Sequence, residues 1–329
     1  MFETPEHTCD VVEVRLEPHP NADSLSLVMV GDFQCAVRTD DWKDGDLAVY
    51  IPPDSVVPET TAFEFLGKSL RIKARKLRGE WSAGLLIPAP MDAKVGDDCM
   101  EQLGIVHYEP PLKGDFSTGG ENVSPPRLSE KSTGGLFTPV YDVMNFRKYA
   151  SRFEDGEEVI VTEKIHGANA RFVCTSDVMY CGSRKFWKKE DPNNLWWKAL
   201  AQCPVLESWL RHHYGYAVYG EVFGQVQNLK YGVANGEIRF AAFDILKGNK
   251  WLDFDEAHEI GAPLPWVPLV YRGPFDKEKI MAMAEEDSSY PGADHYREGV
   301  VVKPVIERTD RKIGRVQLKI VGNRYLSKS

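Results

Sequence analysis

Lys164-Ile165-His166-Gly167-Ala168-Asn169 follows an alternating run, Glu157 to Thr162, that reads as a β-strand. The strand delivers the lysine, and a polar side chain and a glycine follow it two and three residues later. That order suits a nucleophile that must reach a nucleotide phosphate at a strand end. An amine attacks only when unprotonated, so Lys164 needs a depressed pKa, which a neighbouring cation would supply. Gly167 would let the backbone turn sharply beneath the phosphate. His166 and Asn169 offer polar groups for a ribose or for metal-bound water. Read alone, the hexapeptide also fits a surface lysine before an ordinary turn, so its meaning depends on the rest of the chain.

Downstream of it, Ala170 to Cys174, Tyr216 to Val222, Glu237 to Leu246, Gly299 to Lys303 and Arg315 to Ile320 read as strands. Asn193 to Ala201, Val205 to His213, Asp253 to Ile260 and Asp276 to Glu286 read as helices, with Pro204 opening the second. Asp253 would cap the third, and Gly261 stands just past its end. Strands without regular β-α alternation predict an α+β domain with antiparallel sheets.

The N-terminal part has a different texture. Short alternating runs occur at Val11 to Leu16, Leu25 to Val30, Phe33 to Arg38, Leu47 to Ile51 and Ala83 to Ile87, separated by Gly- and Asp-containing turns. Five such strands in about a hundred residues predict a small closed or partly open β-barrel of the OB type; a β-sandwich would give the same pattern. Residues 109–138 carry Pro110-Pro111, Gly119-Gly120, Pro125-Pro126 and Gly134-Gly135 with no hydrophobic period, and read as a linker or a loosely packed connection. The expected organisation is an OB module over 1–108, a linker over 109–138 and an α+β domain over 139–329.

Composition narrows the class. The hydrophobic share of 43% and charged share of 27% are those of an ordinary soluble chain. No apolar run is long enough for a membrane span, and Met1-Phe2-Glu3-Thr4 has no basic or apolar leader pattern. Cysteines 9, 35, 99, 174, 181 and 203 form no C-x-x-C pair, which suits buried thiols in a reducing cytoplasm. The net charge of −9 would seem to disfavour a polyanionic partner, yet contact with phosphate depends on local surface. Arg71, Lys73, Arg75, Lys76 and Arg78 form one basic cluster, Arg184, Lys185, Lys188 and Lys189 a second, and the segment from Lys303 onward a third. Any one of these could be a solvated face. Gly67-Lys68-Ser69 and Lys131-Ser132 fail as phosphate-binding P-loops, because Ala62 and Glu130 stand where the pattern needs glycine. His212-His213 lacks the spacing of a helical zinc site.

Four further segments give the hexapeptide its context: Tyr219-Gly220-Glu221-Val222-Phe223-Gly224, Phe240-Ala241-Ala242-Phe243-Asp244-Ile245, Glu298-Gly299-Val300-Val301-Val302-Lys303-Pro304 and Gln317-Leu318-Lys319-Ile320. In order and spacing this set resembles the covalent nucleotidyltransferases: ATP-dependent RNA and DNA ligases and mRNA capping enzymes. The resemblance runs from about residue 139 to the end of the chain. His166 stands where DNA ligases and capping enzymes usually have Asp, and Lys-x-His-Gly-x-Asn is similar to the RNA ligases of the double-strand-repair type. His19-Pro20-Asn21-Ala22-Asp23-Ser24-Leu25 resembles an OB-type tRNA-binding module. The segment Arg71 to Leu85 resembles the Deinococcus-type nick-sealing RNA ligases, which place an OB module before the ligase domain.

The resemblance implies roles for single residues. Lys164 would form a lysyl-AMP. His166 and Asn169 would meet the ribose and metal-bound water, and the backbone around Glu163 and Ile165 would read the adenine. Arg184 would contact ribose or phosphate, Phe243 would stack on the base, and Lys303 and Lys319 would contact the AMP phosphate. Glu221 and Glu298 would hold Mg²⁺ or Mn²⁺ through water. Arg71, Lys73, Arg75, Lys76 and Arg78 would grip the nucleic acid. Without that context, Phe243 reads as core, Glu221 as a surface acid and Asp244 as an interior pairing group.

ATP and a divalent metal are thus the implied cofactors. A nicked duplex RNA or RNA/DNA hybrid is the implied partner of a cytoplasmic monomer. One position departs from the pattern: such ligases commonly have two lysines, one residue apart, in the last motif, and here Gln317 takes the first place, with Arg315 or another cation as a compensating charge. A DNA ligase, a GTP-using capping enzyme, or a non-catalytic RNA- or tRNA-binding protein with a degenerate ligase domain are the rival readings.

Overall fold

The computed structural model describes residues 7–114, 116–119, 122–123, 138–175 and 178–328. The chain divides into two compact units: Met1–Pro110 with Asn145–Tyr149 and Val321–Ser329, and Pro111–Met144 with Ala150–Ile320.

In the first unit, Leu47–Ile51 is the central strand, and its composition explains why. Ala48 and Tyr50 project into a core with Val14, Val28, Cys35 and Leu86, whereas Val49 and Ile51 project into another with Val11, Phe63, Ile72 and Ile87. A strand covered on both faces reads as an unbroken apolar run, not an alternation. It pairs with Val11–Glu13 on one side and Leu85–Pro88 on the other. Leu25–Val30 and Phe33–Arg38 form a hairpin, joined at its edge by Glu17–Pro18. The strands lie in separate short antiparallel sheets, so no closed barrel forms among the described residues.

Two strands come from a segment in which the sequence pattern marks no strand before Ala83. Ala74–Leu77 and Glu80–Ala83 form a hairpin whose two turn residues, Arg78 (φ 47°) and Gly79 (φ 98°), both take positive φ; this is the turn that matches strand twist. The His19-Pro20-Asn21 loop holds that turn. Asn21 Nδ2 donates to Arg78 O at 3.0 Å, and His19 Nε2 donates to Leu77 O at 3.2 Å.

The second unit is built on two antiparallel sheets. The larger has the order Asn122–Val123, Trp187–Lys188, Val178–Ser183, Ala168–Thr175, Tyr216–Gly224, Ile238–Lys247, Lys250–Trp251. One face carries Ala170, Phe172, Cys174, Val218, Val222, Phe240 and Ile245, packed against Leu195, Leu200, Leu206, Trp209 and Leu210 from two helices. Each fully buried Val, Leu, Ile or Phe among them stabilises the fold by about 1.5–3 kcal/mol. Asn194 caps Leu195–Ala201 by accepting from Trp196 N, and Pro204 opens Pro204–His212. In the smaller sheet Glu158–Lys164 lies between Leu269–Pro274 and Gly299–Pro304, and Leu318–Val321 flanks the latter.

The sequence pattern misses Val178–Ser183 and Leu269–Pro274, whose residues do not alternate. It also assigns Asp253 as a side-chain cap of Phe254–Ile260, but no such cap bond forms; the carboxylate accepts from Glu307 N at 2.7 Å. Gly261, at φ −93°, is not in the left-handed conformation. From Pro111 onward the described residues of the 109–138 stretch belong to the second unit: Lys113 N donates to Val226 O at 2.7 Å, and Asn122–Val123 pairs with Trp187–Lys188.

Candidate functional site

Lys164 is the last residue of Glu158–Lys164, opposite Gly299. After Ile165, His166 and Gly167 the chain enters Ala168–Thr175 of the larger sheet, so the lysine stands where the chain crosses from one sheet to the other. Gly167 is needed for a different reason from the one its sequence context suggests. It has no positive φ; instead, a Cβ there would lie 2.1 Å from Val222 O and 3.0 Å from Glu221 Cγ. The glycine lets the nucleophile loop press against Tyr216–Gly224, next to Glu221.

Four other named residues gather at this crossing. Lys164 Nζ donates to Glu298 Oε1 at 2.7 Å, and His166 Nδ1 lies 3.6 Å from Glu298 Oε2. Asn169 pairs across the sheet with Glu221. Asn169 Oδ1 and Glu298 Oε2 are buried and have no hydrogen-bond partner among the described residues. Burial pushes the Glu221 carboxyl up to about 8, against the attraction of Lys164 and with the Glu298 charge adding to the rise. Burial also acts to raise the Glu298 carboxyl, but Lys164 and His166 outweigh it and hold it below the usual range. Lys319, on the strand beside Gly299–Pro304, is pushed down to about 8 by burial.

Two further named residues stand on the larger sheet. Ser183 pairs with Ala170, so the turn carrying Arg184 leaves the sheet at the end where Asn169 and Glu221 lie; Arg184 Nη2 is 3.1 Å from Asp142 Oδ1. Phe243 is the extra residue of a β-bulge, because Tyr219 pairs with Asp244 and Gly220 with Ala242. Bulges re-aim side chains, and here the half-buried ring lies 4.5 Å from that of Tyr141, with the two planes tilted.

Lys303 occupies other surroundings. It pairs with Ile160, four residues along the strand from Gly299, roughly 13 Å at the rise of a strand. Its ammonium is held by Asp244 and by Glu307, the latter at 3.3 Å. Arg315 donates to Asp244 at 2.9 Å from both terminal nitrogens and to Glu307. Burial would raise the Asp244 carboxyl, yet Arg315 and Lys303 hold it far below the usual range. Gln317 belongs to this cluster: it accepts from Tyr141 Oη at 2.9 Å and donates to Asp142 O at 3.0 Å. Arg315 is engaged by two carboxylates and does not take the place of the lysine that the pattern leads one to expect at 317.

Glu163, just before the nucleophile, is also occupied through its side chain. Ser288 Oγ and Ser289 N donate to its two oxygens, both at 2.6 Å. Burial raises this carboxyl despite these bonds. Ile165 is buried. The sequence gives no sign of Tyr231, whose hydroxyl accepts from His166 N at 2.7 Å.

The oxygen donors suit a hydrated divalent cation. Among the described residues no group of three or more His, Cys, Asp or Glu side chains could hold a metal directly. A small hard ion that keeps several of its waters needs only one or two carboxylates; Glu298 and Asn169 supply buried oxygens without hydrogen bonds, and Glu221 adds a second carboxylate.

In the first unit the basic cluster divides. Arg71 pairs with Asp54 and lies 3.5 Å from the centre of the Tyr108 ring. Lys73 is half-buried, whereas Arg75, Lys76 and Arg78 are exposed.

Comparison with known proteins gives the arrangement a family. A model of the RNA ligase family matches residues 157–321, and an OB-fold domain model matches residues 10–89. No curated protein sequence matches. Solved structures of Naegleria gruberi RNA ligase are similar over nearly the whole chain. A mutant in the apo state has 23% identity and a TM-score of 0.80, covering 99% of each chain. A mutant with AMP and Mn has 23% identity and a TM-score of 0.80, covering 98% of each. A mutant with ATP and Mn has 22% identity and a TM-score of 0.80, covering 98% of this chain and 99% of that one. The fold is therefore an OB-fold domain followed by an antiparallel ligase domain, and since the family model spans half of the sequence, the chain belongs to the RNA ligase family.

Proposed function

We propose that the protein is an ATP-dependent RNA ligase that seals 3′-OH/5′-phosphate nicks in duplex nucleic acid through a lysyl-AMP on Lys164. The observation that carries this reading is the Lys164–Glu298 pair at 2.7 Å, set beside buried oxygens of Asn169 and Glu298 that accept no hydrogen bond. A saturated structural ion pair would leave no such oxygens. The Naegleria structures described with ATP, AMP and Mn support the same nucleotide and a divalent ion.

Lys164 Nζ attacks the α-phosphate; a P–N bond forms, the P–O bond to pyrophosphate breaks and the amine proton leaves to solvent. AMP then passes to a 5′-phosphate oxygen, and Lys164 regains its proton. A 3′-OH finally attacks that phosphate and releases AMP. Mg²⁺ or Mn²⁺, held through water by Glu221 and Glu298, would neutralise charge developing on the phosphates. Lys319 would meet the AMP phosphate, Arg184 the ribose or a phosphate, His166 and Asn169 the ribose and the metal's waters, and Phe243 the base. The backbone around Glu163 and Ile165 would read the adenine. For Lys303 we retain only a supporting role, through Asp244. The last two steps need both ends aligned, which a duplex supplies. Within residues 1–108 the exposed Arg75, Lys76 and Arg78, with Lys73 beside them, would hold its backbone. Residues 109–138 would connect this module to the adenylyltransferase domain, 139–329. The six cysteines are free, as a reducing cytoplasm would keep them.

Incubation with α-labelled ATP, wild type against Lys164→Ala, tests this reading. Label on the wild type alone is expected; no label on the wild type would overturn it. Nicked duplexes with RNA or DNA on the 3′-OH side then define the substrate.

A further inference from the structure

Lys164 can transfer a nucleotide only if the loop that follows it is held still, and one side chain outside the motifs holds it. Tyr231 is fully buried, and its hydroxyl accepts from the backbone N–H of His166 at 2.7 Å. Its backbone is at φ 53°, one of only three described non-glycine residues with positive φ, and a bulky side chain there is strained unless its surroundings fix it. The surroundings do so. The Tyr231 ring meets those of Phe223, Tyr290 and His295 edge-on, with centroids 4.7–5.7 Å apart. Tyr231 N donates to His295 Nε2 at 3.2 Å, and His295 Nδ1 donates to Tyr296 O at 2.8 Å. At the next residue, Gly232, a Cβ would lie 2.4 Å from Gly292 O.

Apart from that of Phe223, these contacts lead to one segment. Residues 286–297 carry Tyr290, His295 and Tyr296, and the segment ends next to Glu298. Ser288 and Ser289 of the same segment bind Glu163. The residues on both sides of Lys164 are thus tied, directly or through Tyr231, to the loop that presents its carboxylate partner.

We infer that Tyr231 is a positioning residue for nucleotidyl transfer, its strained backbone aiming the hydroxyl that fixes the His166 peptide and, with it, the Lys164–Glu298 geometry. This rests on Lys164 being the adenylylated residue. The role is not that of a group touching the nucleotide, so it should appear in the rate of transfer and not in affinity.

Tyr231→Phe keeps the ring and removes only the acceptor. In single-turnover adenylylation followed against ATP concentration, we expect the maximal rate to fall about tenfold, with half-saturating ATP within about twofold of wild type. Leu206→Ala truncates a fully buried core side chain outside this aromatic cluster, so its melting temperature should fall while its maximal rate stays within about twofold. A wild-type rate for Tyr231→Phe, or rate losses that follow melting temperature across both variants, would overturn the inference. A wild-type chain that takes no label in the same assay would overturn both this inference and the reading beneath it.

Discussion

Two clusters of charge in the second unit are built from the same kinds of side chain and end in opposite states. Around Asp244, the side chains of Lys303, Arg315, Glu307, Tyr141 and Gln317 hold one another through short hydrogen bonds, two acids balanced by two cations. Around Lys164, oxygens of Glu298 and Asn169 are buried without hydrogen bonds, with His166 Nδ1 3.6 Å from the former, and the Glu221 carboxyl is destabilised as an anion by burial. Buried polar groups are normally satisfied because leaving one unsatisfied costs about 1–3 kcal/mol. The first cluster meets that rule and acts as a brace between strands. The second breaks it where a nucleotide and a hydrated cation would supply what is missing.

The contrast can be broken by exchanging charge for shape in each cluster. Glu298→Gln keeps volume and removes charge; we expect adenylylation to fall about 100-fold or more, with the melting temperature shifting by only a few degrees. Asp244→Asn should do the reverse, because it leaves Lys303 and Arg315 short of a counter-charge. Denaturant unfolding should register a loss of about 3–5 kcal/mol, while the rate of adenylylation per folded molecule changes far less. An Asp244→Asn protein of wild-type stability that no longer takes label would erase the distinction.

A smaller effect sharpens the description of the unsatisfied cluster. The Glu221 carboxyl titrates near 8 in the folded chain, against an ordinary 4.5. Between those values the folded form keeps a proton that the unfolded form has lost, so stability contributed below about 4.5 is lost as pH rises towards 8. In metal-free buffer the wild type should lose stability over that window, and Glu221→Gln should flatten the decline. A decline unchanged in Glu221→Gln would assign it elsewhere. The smallest effect concerns charges that water, not protein, satisfies. Arg75→Glu with Lys76→Glu should leave melting within about 0.5 kcal/mol of wild type and adenylylation unchanged. Nick sealing should weaken several-fold at low salt, with a shallower salt dependence. Equal loss of both activities would argue against this division of labour.

What the sequence made legible follows from distance along the chain. The hexapeptide at 164–169 and the carboxylates at 221 and 298 are short motifs within or next to strands, and their order brings them to one end of the sheets. The state of each charge is set by partners far away in sequence. Lys303 reads like a phosphate ligand until Asp244, fifty-nine residues earlier, is found against it. Gln317 reads like a gap in a motif until Tyr141 and the Asp142 carbonyl are found to engage it. Gly167 looks like a turn residue, and only the 2.1 Å approach to Val222 O reveals a packing role. Tyr231 carries no local signal, because its value lies in a backbone conformation and a contact sixty-five residues away. The hairpin at 74–83 was visible as charge but not as strands, since exposed Arg and Lys break the alternation.

The central claim is that the unsatisfied cluster exists to charge Lys164 with a nucleotide. The most direct test is to incubate the full chain with ATP and Mg²⁺, measure the intact mass, and map the modified peptide. The account predicts a gain of one AMP per chain, lost in acid as a phosphoramidate is, and located on the peptide that contains Lys164. An unmodified chain, or AMP carried by a peptide containing Lys303 or Lys319 instead, would contradict it.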